Sequence, residues 1–316
     1  MKNLLKNSSA YKIIASDKKQ NKLNHAYLVM CQDGDMHDEY LKILAKLIMC
    51  NDAEFCDDCR VCKLIDNKSH PDIAFFPKDG KLKTDSADEL IRQSVVKPFE
   101  LDKRLFVVRK IEELNQYQNK LLKTLEEPPK NVYMLISTER PVAVLPTVKS
   151  RSKIVEIQDF SEQELLKTAM SMGYLGDRLM LAVKLCGGKL GRLIRYYEND
   201  DLLAIKDLAC DMLCNMTGKN LPEYAGKLKN ISVKDFISVT KLLLNKLLIY
   251  LTDKKVDPLY KNLYQNTEKW RYGSIIAIIE RLNGFEKSIN FNMNNAILVD
   301  GVLFAIMEEK TKWQKL

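Results

Sequence analysis

Four of the eight cysteines in this 316-residue chain, Cys50, Cys56, Cys59 and Cys62, fall within a single stretch of thirteen residues. Thiolates at C-x2-C-x2-C with a fourth cysteine six residues upstream can converge on one ion, because each short spacing makes a tight turn that aims both sulfurs inward. A tetrahedral set of four thiolates suits zinc. Three cysteines at this pitch also begin a bacterial ferredoxin run, but there the next cysteine follows three residues later and precedes proline, whereas Cys62 leads into "KLIDN". Structural zinc is therefore the expectation, with an iron–sulfur cluster or unliganded thiols as the alternatives. Thiolates at all four positions leave no place for a reacting water, so the metal would serve folding and not catalysis. The other four cysteines, Cys31, Cys186, Cys210 and Cys214, lie in apolar or helical sequence, where a free thiol behaves as a small hydrophobe, and they receive no role.

The second chemical feature is an absence. A phosphate loop, G-x-x-x-x-G-K-[ST], would follow the apolar run "AYLVM" (26–30), its glycine amides cradling phosphates and its lysine neutralising them. Here the run is followed by "CQDGDMHDEY". Cys31 stands at the first glycine, Met36 at the second, His37 at the lysine and Asp38 at the magnesium-holding hydroxyl; Gly34 lies between them out of register. Asp33, Asp35, Asp38 and Glu39 add negative charge where a triphosphate would sit, and unscreened repulsion is costly in a desolvated pocket. Nucleotide is not expected to bind. The metal-holding acid expected after a later strand is missing too, since "RLFVV" (104–108) runs into Arg109 and Lys110.

The elements that must carry these residues alternate. β-rich runs at 26–30, 72–76, 104–108, 132–137 and 153–157 are separated by helical patterns at about 39–49, about 85–95 and 118–127, which implies a parallel sheet with crossover helices. Leu121, Leu122 and Leu125 share one face of the last helix, and Pro128 and Pro129 end it. After Asp159 the β signal stops. Ser161-x-x-Glu164 reads as a capping box opening a helical region. Gly187-Gly188 and "YENDD" (197–201) close a unit of about 40 residues, and from about 202 the chain reads as long amphipathic helices, including 233–255 and 292–313. The expected division is an α/β domain over 1–159 with the cysteine module at 50–62, a helical domain over 160–200 and an all-α domain over 201–316.

A net charge of +8, from 50 basic and 42 acidic residues spread along the chain, allows weak contact with nucleic acid without marking a binding stripe. No apolar run is long enough for a membrane span or a signal peptide, so a cytoplasmic location is expected. His25 and His70 precede a strand and Pro71 and read as turn residues, His70 also lying near enough in sequence to substitute for a cysteine; His37 reads as a solvated residue.

In order and spacing, "HAYLVM" (25–30), the four-cysteine insert, "HPDIAFF" (70–76), "QNKLLKTLEEPPKNVYMLIS" (118–137) and "LPTVKSRS" (145–152) resemble the bacterial clamp-loader subunits of the AAA+ superfamily. The resemblance covers residues 1 to about 200, and the helical remainder is consistent with the family's collar domain. It implies an AAA+-like α/β domain, a helical lid and a collar. Partners would be the delta and gamma/tau subunits in a hetero-pentamer, with the sliding clamp and primed DNA met through the assembly. The missing phosphate loop points to the member that does not bind ATP, a non-enzymatic stator. Arg151 of Ser150-Arg151-Ser152 matches the arginine that, in this family, projects into a neighbouring subunit's ATP site; the family usually has cysteine where Ser152 stands. A planar, permanently charged guanidinium suits that task, and the alternative is a surface arginine at a strand edge. Thr138 and Arg192 match the sensor 1 and sensor 2 positions, which without nucleotide would be structural. Two other readings remain open: an ATP-hydrolysing gamma/tau-type subunit, and a zinc- or iron-dependent DNA-binding or redox protein on a similar scaffold.

Overall fold

The computed structural model describes residues 1–229, 231–289 and 295–312. They form two compact units: Met1–Thr168 with Gly188–Arg192, and Ala169–Gly187 with the described residues from Leu193 onward. The stretch 160–200 thus contributes to both.

The first unit is built on five parallel strands, β1 (Ala26–Cys31), β2 (Ile73–Phe76), β3 (Arg104–Val108), β4 (Val132–Thr138) and β5 (Lys153–Ile157), in the order β2-β3-β4-β1-β5. β1 lies between β4 and β5, with Leu28 opposite Ile136 of β4 and Ile154 of β5. Its helices are α1 (Lys2–Leu5), α2 (Ser9–Lys19), α3 (His37–Met49), α4 (Arg60–Asp66), α5 (Thr84–Ser94), α6 (Leu122–Glu126), α7 (Pro146–Lys149) and the greater part of α8 (Glu162–Ser171). The central strands are apolar on both faces, as parallel strands covered on both sides must be. Ala26, Leu28, Phe106, Val108, Met134 and Ile136 join Ala87 and Leu90 of α5 and Leu121 and Leu125 in one core. Tyr27, Val29, Leu105, Val107 and Leu135, pointing the other way, are as fully buried, on the side taken by α2 and α3.

All five expected strands are present within a residue of their expected limits. The helix expected over 118–127 differs. Residues 111–121 wind as a tight 3-10 segment interrupted at Asn115, whose φ of 47° and ψ of −123° are non-helical, and α-helix begins only at Leu122. Leu121 and Leu125 are buried and Leu122 packs beside them, so the predicted face is kept. At Ser161 the capping box forms: Glu164 N donates to Ser161 Oγ at 3.3 Å and Ser161 N to Glu164 Oε2 at 3.0 Å.

The second unit is helical: α9 (Gly176–Leu185), most of α10 (Leu190–Glu198), α11 (Leu202–Asn215), α12 (Leu221–Leu228), α13 (Val233–Asp253), α14 (Tyr272–Ile289) and α15 (Asn295–Lys312). α13, capped by Ser232, packs against α11 and α14, and α15 against α12 and α14. Residues 292–294 and 313 of the last expected helix lie outside the described residues. Among the described residues no helix is long and apolar enough to cross a membrane.

Candidate functional site

The cysteines are assembled by two helix ends and the loop between them. Cys50 follows the last residue of α3 in extended conformation, Cys59 caps the start of α4 and Cys62 lies in its first turn. The four sulfurs lie within 4.8 Å of one another, with Cys50 Sγ 3.9 Å from both Cys56 Sγ and Cys59 Sγ. A tetrahedron of thiolates at the usual zinc–sulfur distance has edges of about 3.8 Å, so the donors fit a zinc-sized ion as they stand. Cys59 N donates to Cys56 Sγ at 3.2 Å and Cys62 N to Cys59 Sγ at 3.5 Å, amide-to-sulfur contacts that tighten the turn. Backbone hydrogen bonds from Cys59 and Asp58 hold the Cys56 thiol below its ordinary value, while burial pushes Cys59 and Cys62 up. A dication would override that burial cost, since a coordinating thiol gives up its proton.

His70 does not join this cluster. It is buried, its Nδ1 accepts from Asp72 N at 3.1 Å, and Asp72 in turn accepts from the amides of Glu100 and Leu101 at 2.7 and 2.8 Å. The His-Pro-Asp turn before β2 is therefore a brace for the chain at 99–101. Cys31 is fully buried with its thiol pushed up to about 12 by burial, and Cys186, Cys210 and Cys214 are buried as well. None of these four joins a metal-ligand cluster.

The loop after β1 is held by its own side chains. Asp33 is buried and its Oδ2 accepts from Tyr40 Oη at 3.1 Å and from Gly191 N at 3.0 Å. Asp38 is paired with Lys68 at 2.7 Å and Arg109 at 2.9 Å; burial would raise its carboxyl, and the two cations outweigh it and hold it below the usual range. Here the sequence reading of His37 is corrected: it is 1% exposed, with Nδ1 3.4 Å from Glu139 Oε1. His37 first, and Lys110 after it at 2.7 Å, lower the Glu139 carboxyl to about 2 against the cost of burial. That carboxylate presses on the loop so closely that a Cβ on Gly34 would sit 2.3 Å from Glu139 Oε1. A Cβ on Gly191 would likewise meet Asp33 Oδ1 at 2.6 Å.

Thr138, at the end of β4, is buried and its Oγ1 accepts from Arg140 N at 3.1 Å; Arg192 is half-buried at the start of α10. The acid that matters here, Glu139, was missed in the sequence because it adjoins a recognised position without being part of it. The signal available was the pair Arg109-Lys110, two cations ending a buried strand with no stated counter-charge. Met36 is buried beneath the loop.

Arg151 stands apart from both groups, after α7 and two residues before β5. Its guanidinium donates to Thr147 O at 3.0 Å and pairs with Glu126 of α6 at 2.6 Å, the two side chains 33% and 48% exposed. Both line an open depression with Asn24, His25 and Lys153.

The sheet order, the helices on both its faces and the altered loop after β1 define an AAA+-type scaffold with a cysteine module inserted between α3 and α4. Residues 6–161 match the family described as DNA polymerase III, delta subunit. The chain is 30% identical over 151 residues to DNA polymerase III subunit delta' of Bacillus subtilis (strain 168), 46% of each chain. It is 27% identical over 201 residues to the subunit delta' of Escherichia coli (strain K12), covering 60% of this chain and 59% of that one. A match to the tau/gamma subunit of Haemophilus influenzae, 28% over 156 residues, covers 48% of this chain and 23% of that one. The chain thus spans about half the length of the curated delta' relatives it matches. In fold it is similar to a DNA polymerase III gamma subunit-related protein from Thermotoga maritima, with a TM-score of 0.50 and 16% identity over 94% of this chain and 99% of that one. Over residues 6–161 this chain is thus similar to DNA polymerase III subunits of the delta' and tau/gamma kinds.

Proposed function

We propose that this protein is the delta-prime-type, non-ATP-binding subunit of a bacterial clamp loader, acting in the cytoplasm as a stator. It assembles with delta and gamma/tau subunits into a hetero-pentamer that loads the sliding clamp onto primed DNA. In this reading residues 1–159 are the AAA+-like domain, 160–200 a lid and 201–316 a collar. The observation that carries it is the loop after β1: Glu139 fills the space over Gly34, and the hydroxyl, lysine and glycines that would hold a magnesium nucleotide are absent. The protein then contributes no active site of its own. It contributes Arg151, partly exposed and held by a solvated carboxylate, the Thr147 carbonyl and the Ser150 hydroxyl, to the ATP site of a neighbour.

Cys50, Cys56, Cys59 and Cys62 would hold one zinc ion, which ties the end of α3 to the start of α4 and, with four protein ligands, supplies folding energy and no open coordination position. The gamma/tau-type alternative shares the scaffold and is opposed by the same loop. Mixing the purified protein with the delta and gamma/tau subunits of its own organism tests the assembly: a single co-eluting complex with stimulated clamp loading is expected, and failure to co-elute with either overturns the reading. Micromolar ATP binding by the isolated chain would return it to the gamma/tau type.

A further inference from the structure

The chain between Cys50 and Cys59 has no regular secondary structure, yet it must reverse so that Cys56 and Cys59 return to Cys50. Carbonyls in such a loop, lacking a ladder, are left to water or to side chains from outside it. Three of them, those of Cys50, Asp52 and Glu54, receive theirs from one group, the Lys18 ammonium, at 2.6, 2.5 and 3.4 Å. An ammonium has three donors, and all three are used. Lys18 is in the last turn of α2, and α2 is itself fixed to the sheet: Ala10, Tyr11 and Ile14 are buried, and Asp17 accepts from Tyr27 Oη at 2.7 Å and pairs with Lys153 at 2.7 Å. Two more lysines work on the second half of the loop. Lys2 donates to Phe55 O at 2.9 Å with its ammonium 3.9 Å from that ring's centre, and Lys46 joins Asp57 to Asp66, each at 2.8 Å.

We propose that Lys18 is a positioning residue of the cysteine centre: by gathering the carbonyls of Cys50, Asp52 and Glu54 it folds the loop into metal-ready shape before any ion is bound. Its charge then offsets part of the net −2 that four thiolates and a dication carry together. The second statement rests on the zinc reading above; the first does not.

The experiment uses the full chain with Lys18→Met, which keeps the reach and removes donors and charge, and Lys19→Met, an exposed neighbour on the same helix, as control. Amide hydrogen exchange of residues 51–58 is measured in chelator-treated protein, and zinc affinity by competition with a chromogenic chelator. Lys18→Met should speed exchange of these amides about tenfold or more and weaken zinc by about 10- to 100-fold, the range for residues that orient ligands without touching the metal, while Lys19→Met changes neither. Unchanged exchange in the metal-free protein overturns the proposal whatever the affinity, and so does an equal loss in Lys19→Met, which reduces the effect to general charge. If the wild-type chain takes up no zinc, the zinc reading fails, and the exchange comparison still decides whether Lys18 shapes the loop. Should Lys18→Met not fold, Lys18→Arg keeps the charge but its flat fork cannot seat three converging carbonyls, and about a three- to tenfold change in the same two measurements is expected.

Discussion

Glu139→Gln is the sharpest perturbation of the altered loop, because it keeps the shape of the side chain over Gly34 and removes only its charge. The carboxyl is held at about 2, against an ordinary 4.5, by His37 and Lys110. Taken at face value that difference is worth about 3 kcal/mol. The side chain is still 29% exposed and its partner Lys110 30% exposed, so solvent screening brings the expected loss in the variant to about 1–2 kcal/mol. The sign follows from the direction. A carboxyl depressed in the folded state stabilises fully above 4.5, and that contribution is lost as pH falls toward about 2. Wild type and variant should therefore differ fully at pH 7 and by less than about half of that at pH 3. Both tryptophans, Trp270 and Trp313, lie beyond the α/β unit in sequence, so fluorescence would report the wrong part of the chain. Amide exchange of β1 and β4 under native conditions, corrected for intrinsic rates at each pH, reads the opening energy of the right unit. Equal protection at pH 7, or a gap that does not shrink in acid, would refute the pairing of Glu139 with His37 and Lys110 as a structural lock.

Cys59→Ser removes the sulfur shared between the cap of α4 and the cluster, and should cost at least about tenfold in zinc affinity and loosen residues 50–65, read by metal analysis and amide exchange. The isolated chain should bind no ATP at micromolar concentrations in equilibrium dialysis, and His37→Lys should not rescue binding, because Gly34 stays covered and no hydroxyl stands at Asp38. Arg151→Ala should leave folding and assembly intact and lower ATP hydrolysis by the loader only in part, since a finger worth roughly 10³ to 10⁵ would serve one site among several. Arg151→Lys should be impaired as well, because it keeps the charge and loses the planar fork; wild-type turnover and clamp loading in both variants would make Arg151 a surface residue.

The sheet was legible in the sequence because parallel strands buried on both faces are short unbroken apolar runs, and "AYLVM", "RLFVV" and "VYMLIS" are of that kind. The cysteine cluster was legible because its spacing is local: the turn that joins Cys56, Cys59 and Cys62 is made by the residues between them. The segment 111–121 was not, since its leucines have helical spacing while the backbone breaks at Asn115, and nothing in propensity marks that break. His37 was misread for a related reason. Its neighbours Asp35, Asp38 and Glu39 suggest a wet, acidic loop, but Lys68 and Arg109 come from 30 and 71 residues away to pair with Asp38, and Glu139, itself paired with Lys110, packs beside His37. Long-range charge pairing leaves no period in the sequence. Lys18 was not legible either, because a side chain that serves backbone carbonyls has no partner visible as a residue type.

The charged groups on this scaffold differ in what it costs to part them, and that difference bears on the proposed division of labour. Opening the loop after β1 would expose the buried Asp33, strand His37 beside Glu139 and separate Asp38 from two cations at once, and breaking one member of such a network leaves the others uncompensated. The Arg151–Glu126 pair is a single contact between two partly solvated side chains, of a kind worth at most about 1 kcal/mol. A neighbour's phosphate offers the same guanidinium a second or third negative charge and a geometry that accepts its fork. On the proposed reading, Arg151 would exchange Glu126 for phosphate at little cost, whereas the Glu139 network would resist any such exchange. If the proposed role holds, Arg151 is the group this subunit would lend outward, while the loop after β1 stays closed by its own charge network.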